Sequence, residues 1–289
     1  MRTERWLSAA VLTLATIIGL VAFGYPFLTL GAADGGPFGM AHAQDAPLIT
    51  LILTVFCVVM VVANLTSQQM SARTIAVLGV LTAVNAALRA LPGPAGFSAI
   101  FFLIGLCGYV YGATFGFLLG VLSLLVSALM GGGVGPWLPY QMFATGWMGM
   151  TSAWLPDLRR RSKAELLMLV VWTALWGLIF GAIMNVWFWP YLTAFQLSSD
   201  QSWELGLRVT EVLKRYLAFY VTTSLWWDMG RSLGNAGLVL FLGIPLLKVL
   251  RRFEHVLGFE VEVTEAGSGC CAEDGGHANL PQVAKGSAR

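Results

Sequence analysis

From Phe97 to Leu129 the chain runs without one charged side chain. No other stretch limits so sharply what it can fold into. As a single helix rising about 1.5 Å per residue it would reach about 50 Å, against about 30 Å of hydrocarbon in a bilayer. The run is too long for one crossing and too apolar for a loop in water. It is expected to fold back at "YGATFG", Tyr111–Gly116, as two compact membrane spans. The remainder of the chain agrees: 57% of its residues are hydrophobic and 11% charged, where ordinary globular chains carry about a quarter charged. There are too few polar groups to cover a surface in water, so lipid is the expected solvent. A net charge of +2 is too small to imply a nucleic-acid partner.

At about 20 mainly apolar residues per crossing, further spans fall at Trp6–Leu30, Leu48–Asn64, Ile75–Leu91, Tyr140–Leu155, Ala164–Trp189 and Trp227–Leu250. The expected fold class is all-α integral membrane, with about eight transmembrane helices. Ala41-x-Ala43 offers a signal-peptidase pattern, but the first apolar run exceeds the roughly 7–15 residues of a signal core, so a retained span is expected. Basic loops set the orientation. Arg2 and Arg5 precede span one, and Arg73 opens span three. "DLRRRSK" (Asp157–Lys163) follows span six, while Lys248, Arg251 and Arg252 close span eight. With eight spans these clusters share one side, the cytoplasm, which puts both termini inside and makes this a multi-pass protein of the plasma membrane.

Three regions result: two N-terminal spans with an outside loop (1–65), a six-helix core (66–252) and a cytoplasmic tail (253–289). The tail is polar and aperiodic from Gly267 and is read as disordered. Its Cys270, Cys271 and His277 are read as solvated, and the four cysteines of the chain do not make a disulfide framework. In the outside loop Ser198–Arg215, Leu205, Val209, Val212, Leu213 and Tyr216 recur at helical spacing, so part of it should lie as a helix on the membrane surface.

Polar side chains are costly in a bilayer and usually face a bundle interior or a water-filled cavity. Here they gather at the outer ends of the spans. Asn85 and Arg89 lie one turn apart late in span three, and Tyr140 and Gln141 open span six. Asn185, Trp187 and Trp189 finish span seven. In "WWDMGRSLGN", Trp227 precedes Asp228, Arg231 and Asn235, which form one stripe of span eight. Each has a plainer account alone: Asp228 and Arg231 can simply pair, and Trp and Tyr form belts at membrane surfaces. Together they point to an outward-facing pocket, aromatic and apolar with a few placed hydrogen-bonding groups. "MGGGVGPWLPYQ", Met130–Gln141, is the matching flap, because Gly and Pro stop the helix and let backbone approach closely. Trp137 and Tyr140 would stack on a flat ligand, and Gln141 would read its polar edge. Asp228 is the only acidic group expected near the membrane interior. No phosphate-binding loop, catalytic set, metal site or resident cofactor is expected.

Two small-residue tracks remain. Ala72, Ala76, Ala83 and Ala87 fall mostly four or seven apart from the cytoplasmic end of span three. Gly108, Gly112, Gly116 and Gly120 repeat the four-residue spacing across the hairpin. Such faces let helix backbones approach closely in lipid.

From about Ala72 to Arg252 these features resemble the substrate-binding (S) components of energy-coupling-factor (ECF) vitamin transporters. The resemblance rests on Ala72-x-x-x-Ala76, the "GYVYGATFGFLLG" turn, the "GGGVGPWLPYQM" loop and the closing "WWDMGRSLGNAGLVLFLGIPLLKVLRR" span. It implies a protein that binds a vitamin or precursor from outside, beneath external loops. Asn85, Arg89, Trp137, Tyr140, Gln141, Asn185, Trp187, Trp227, Asp228, Arg231 and Asn235 would be the binding residues. Ala72, Ala76 and Ala83 would be the face that packs on a transmembrane coupling (T) subunit, driven by two cytoplasmic ATPases. The chain departs from the compact six-helix domain in its two extra N-terminal spans and its long outside loop. Tryptophans near the mouth favour a flat or large heterocycle, such as a cobalamin-like cofactor. The alternative function is a stand-alone secondary carrier or channel, which would want a coupling residue or inverted repeats. A membrane enzyme or a scaffold stands behind that.

Overall fold

A computed structural model describes residues 2–29, 46–66, 71–90, 93–195, 198, 200–204 and 206–257. Among them the chain is all helix and turn, with no strand. The sequence readings at Leu205, at Ala41-x-Ala43 and in the tail from 258 onward fall outside the described residues. The helices are α1 (Arg2–Gly24), α2 (Pro26–Thr29), α3 (Ala46–Thr66), α4 (Ala72–Arg89), α5 (Phe101–Tyr111), α6 (Ala113–Ser127), α7 (Leu138–Ser152), α8 (Ser162–Phe188), α9 (Val209–Thr223) and α10 (Leu225–Leu257).

Five segments are long and apolar enough to cross a membrane: Ala72–Arg89, Pro94–Tyr111, Ala113–Gly132, Ser162–Leu192 and Leu225–His255. The N-terminal helices α1 and α3, of 23 and 21 residues, carry the apolar stretches Ala9–Gly24 and Pro47–Phe56. The short one is α7, whose 15 residues extend about 22 Å at 1.5 Å each. Its length has a physical reason. Nearly every residue of α7 from Leu138 to Ser152 is buried, inside contacts from α1, α3, α5, α6 and α8. A helix sheathed in protein does not have to match the thickness of the lipid. Every residue of α5 is buried as well, whereas α4, α8 and α10 turn residues such as Val80, Leu167 and Phe241 outward. Outward apolar side chains are the solvated state when the solvent is hydrocarbon.

The long uncharged run reverses at Gly112, inside the expected turn. Its φ of 93° is left-handed backbone that glycine adopts without strain, and its N–H donates back to the Gly108 carbonyl at 3.0 Å. The rest of that glycine track is a packing seam. A Cβ on Gly108 or Gly116 would land on the Gly149 carbonyl of α7, and one on Gly120 would meet the Thr145 carbonyl. Close backbone approach is what holds α5, α6 and α7 together where lipid offers no hydrophobic drive between helices.

The N-terminal helices pack on this same central helix. Gly19 of α1 faces the Phe143 and Trp147 rings, and the Phe23 ring lies 4.9 Å from that of Tyr140. Phe27 of α2 continues the contact, edge-on to Trp203 at 5.7 Å. The helix expected in the loop before the last span is α9. It starts at Val209 and runs on past Arg215 to Thr223. Val212, Tyr216 and Phe219 pack on Trp189 and Trp203, while Val209, Leu213, Leu217 and Val221 point outward. Of the residues at helical spacing, Val212 and Tyr216 therefore meet the aromatic cluster, while Val209 and Leu213 lie on the neighbouring exposed side.

Candidate functional site

The singled-out polar residues lie at the end of the bundle opposite the basic loop Asp157–Lys163. The structure gathers them into two nests rather than one. In the first, α4 and α6 form a ladder. The Asn85 amide donates to Ser123 Oγ at 3.1 Å, and one turn later Arg89 Nη1 donates to Ser127 Oγ at 3.4 Å. Arg89 Nη2 extends the ladder to α7 through Gln141 Oε1 at 3.0 Å. Matching i, i+4 spacing on two adjacent helices produces this register.

The second nest lies between α5, α8 and α10. Asp228 pairs with Arg231 one turn on, and the Arg231 guanidinium lies 5.1 Å from the Phe180 ring centroid and 5.8 Å from that of Phe101. The Asp228 carboxylate fills a notch that exists because residue 181 is glycine; a Cβ there would collide with it. Asn185 accepts from Ser224 Oγ at 2.9 Å. Asn235 is wholly committed to backbone. Its Oδ1 accepts from Phe102 N–H at 3.1 Å, and its Nδ2 donates to the Ser98 and Arg231 carbonyls at 2.9 Å. It thereby satisfies one of the orphan N–H groups at the start of α5, where Ile100 supplies no side-chain cap. Tyr140 and Trp187, 6.0 Å apart, join the nests.

Two expected binding residues stand apart. Trp137 is half-buried against the core just before α7. Trp227 is 59% exposed and belongs to neither nest, although its backbone abuts Gly96. The flap is a wide π-turn at Ala128–Gly132, with left-handed glycines at Gly131 (φ 105°) and Gly133 (φ 89°). Leu129, Met130 and Val134 project from it into the surroundings.

Sequence reasoning missed a second turn at this end of the bundle. The turn Pro94–Gly96 carries Ala95 in the left-handed region at φ 51°, a conformation unusual outside glycine. It presses on α10 where Gly230 makes room for the Ala95 carbonyl and Gly234 for the Phe97 ring. The Gly230-x-x-x-Gly234 spacing was the available signal.

Among the described residues Asp228 is not the only acid buried in protein. Glu165 is 2% exposed and Glu254 is 3% exposed, both at the basic-loop end. Tyr109 donates to Glu165 at 2.7 Å, Arg251 pairs with the same carboxylate, and Arg159 pairs with Glu254 at 2.8 Å. Burial opposes the charge on Arg159, but the Glu254 contact outweighs it and holds the guanidinium pKa above its ordinary value. Both acids sit in terminal turns of their helices, where sequence position says nothing about the face they occupy.

The alanine track is the reverse of the glycine track. Ala72, Ala76 and Ala83 are exposed, and Gly79 between them faces open space. Chemically, the two nests together hold one carboxylate and neither histidine nor cysteine, so they are equipped to bind by stacking and hydrogen bonds. A family model described as "ECF transporter, substrate-specific component" matches residues 73–247, more than half of the chain. No curated protein and no solved structure gives a significant match.

Proposed function

Since the chain belongs to the substrate-specific components of ECF transporters, we propose that it captures a vitamin or vitamin precursor from outside the cell and hands it to a coupling subunit. The protein is a multi-pass transport component rather than an enzyme. ATP hydrolysis belongs to two cytoplasmic partner ATPases in this reading. All eight apolar segments cross the plasma membrane, with both termini cytoplasmic and residues 1–65 added to the six-helix core. The cargo enters between the flap at Ala128–Gly132 and the turn at Pro94–Gly96. Its ring system, flat or large and in the extreme cobalamin-like, lies among Tyr140, Trp187, Phe180 and Phe101, and the nests read its polar edges.

The single observation that carries this reading is the contrast between two faces of α4. The face bearing Arg89 is tied into a polar nest, while the face bearing Ala72, Ala76 and Ala83 is exposed. A smooth small-residue face suits the close approach of another helix in lipid. Purification in mild detergent should therefore co-isolate a coupling membrane subunit and two ATPases. Ala76→Trp should abolish that co-isolation and uptake while the variant still purifies as a folded protein. Undiminished co-isolation by Ala76→Trp would show that the partner docks elsewhere.

A further inference from the structure

Five arginines among the described residues are half-buried: Arg89, Arg159, Arg215, Arg231 and Arg251. Four have a carboxylate within ion-pair distance. Arg159 has Glu254, Arg215 has Glu204 and Glu211, Arg231 has Asp228 and Arg251 has Glu165. Arg89 is the exception. Its contacts are a serine hydroxyl and a carboxamide oxygen, both neutral. A cation partly withdrawn from water without a counter-charge is costly; the C-terminal turn of α4, where Arg89 lies, offsets part of that cost, and an anion would offset the rest.

Arginines near a membrane surface ordinarily escape this cost by reaching for water. Arg89 is instead covered by the flap. A Cβ built on Gly132 would stand 2.9 Å from its Nη1, with Ser127 Oγ 2.8 Å from the same point. Gln141 and Ser127 fix the plane of the guanidinium and leave further N–H donors over. One turn deeper, Asn85 is fully buried and its Oδ1 has no partner. A half-satisfied polar nest beneath a glycine flap is what a site looks like when its ligand supplies the missing groups.

We propose that Arg89 is the anion-recognition residue of the substrate site, so the cargo is a small molecule bearing a carboxylate or a phosphate, with a hydrogen-bond donor near it for Asn85. This rests on the transport reading above and names its substrate class. The guanidinium fork matches either oxyanion in two parallel hydrogen bonds, a geometry that lysine does not reproduce.

The test uses the full-length protein in phosphatidylcholine nanodiscs and reads the thermal unfolding midpoint. The probes are inorganic phosphate, benzoate and its neutral counterpart benzamide, all at one ionic strength set with chloride. Phosphate or benzoate should raise the midpoint of the wild type, as any ligand of the native state must, and benzamide should not. Arg89→Gln should lose the anion-specific shift entirely, while Arg89→Lys should keep the charge but bind about tenfold more weakly. An equal shift in Arg89→Gln, or none in the wild type, overturns the proposal. A wild-type shift that appears only when phosphatidylglycerol is added to the nanodisc, and not with either soluble anion, also overturns it by assigning Arg89 to a lipid headgroup. Co-isolation of the wild type with its coupling partners is read separately, so failure there sinks the transport reading and leaves the anion result standing.

Discussion

Glu165 and Arg251 meet at the basic-loop end of the bundle with unequal access to water. The Arg251 side chain keeps 21% of its exposure and the Glu165 side chain 3%. That asymmetry decides which partner can be lost. Without Glu165 the guanidinium can turn to interfacial water; without Arg251 the carboxylate stays buried with only Tyr109 to satisfy it. Arg251→Met should therefore cost about 3–5 kcal/mol and Glu165→Gln about 1–2 kcal/mol, measured by denaturant unfolding in detergent. The double variant should recover most of the larger loss, because it leaves no buried charge behind. Equal costs for the two single variants would mean that Glu165 reaches water after all. In the sequence, "SKAELLM" shows an acid at the start of a helix, a common and usually exposed position. Nothing in those residues reveals that it faces Tyr109.

Two glycines in similar sequence surroundings behave oppositely at the scale of the helix. Gly149 of α7 lies against the Gly116 carbonyl, where a methyl group has no room, and Gly79 of α4 has nothing near it. Gly149→Ala should separate α6 from α7 and cost about 1–3 kcal/mol through overpacking. Gly79→Ala should be neutral or gain up to about 1 kcal/mol from helix propensity. The readout is the unfolding midpoint of each variant, and destabilisation by Gly79→Ala would place a hidden neighbour on the alanine face. Spacing alone marked both tracks as close-approach surfaces. It could not say that the glycine track is consumed inside the bundle while the alanine track is left outside.

For the whole molecule, sidedness is the property on which the transport reading depends. Val134 on the flap is 71% exposed, and Arg160 lies in the exposed basic loop. With Cys57, Cys107, Cys270 and Cys271 replaced, Val134→Cys should react with a membrane-impermeant maleimide added to intact cells. Arg160→Cys should react only after the membrane is opened. The reverse pattern would put the flap in the cytosol and remove the case for capture from outside. The N-terminal helices belong to this scale too. The sequence resemblance leaves them out of the core, yet Phe23 and Phe27 pack into the aromatic cluster that continues from Tyr140 and Trp189.

Hydropathy and turn residues were enough for the helical class and the reversal near Gly112, and short motifs read in order were enough for the resemblance to the family. These are properties that add up along the chain, so they survive without a partner in view. Which side of each helix faces what was decided only by tertiary packing. The two nests, the committed amide of Asn235, the outward Trp227, the buried Glu165 and the unpaired Arg89 all depend on the rotation of one helix against another. An amphipathic helix announces that rotation through its polar stripe. Helices apolar on every side carry no such stripe, and in lipid their rotation is set by close contact between backbones that no single segment encodes.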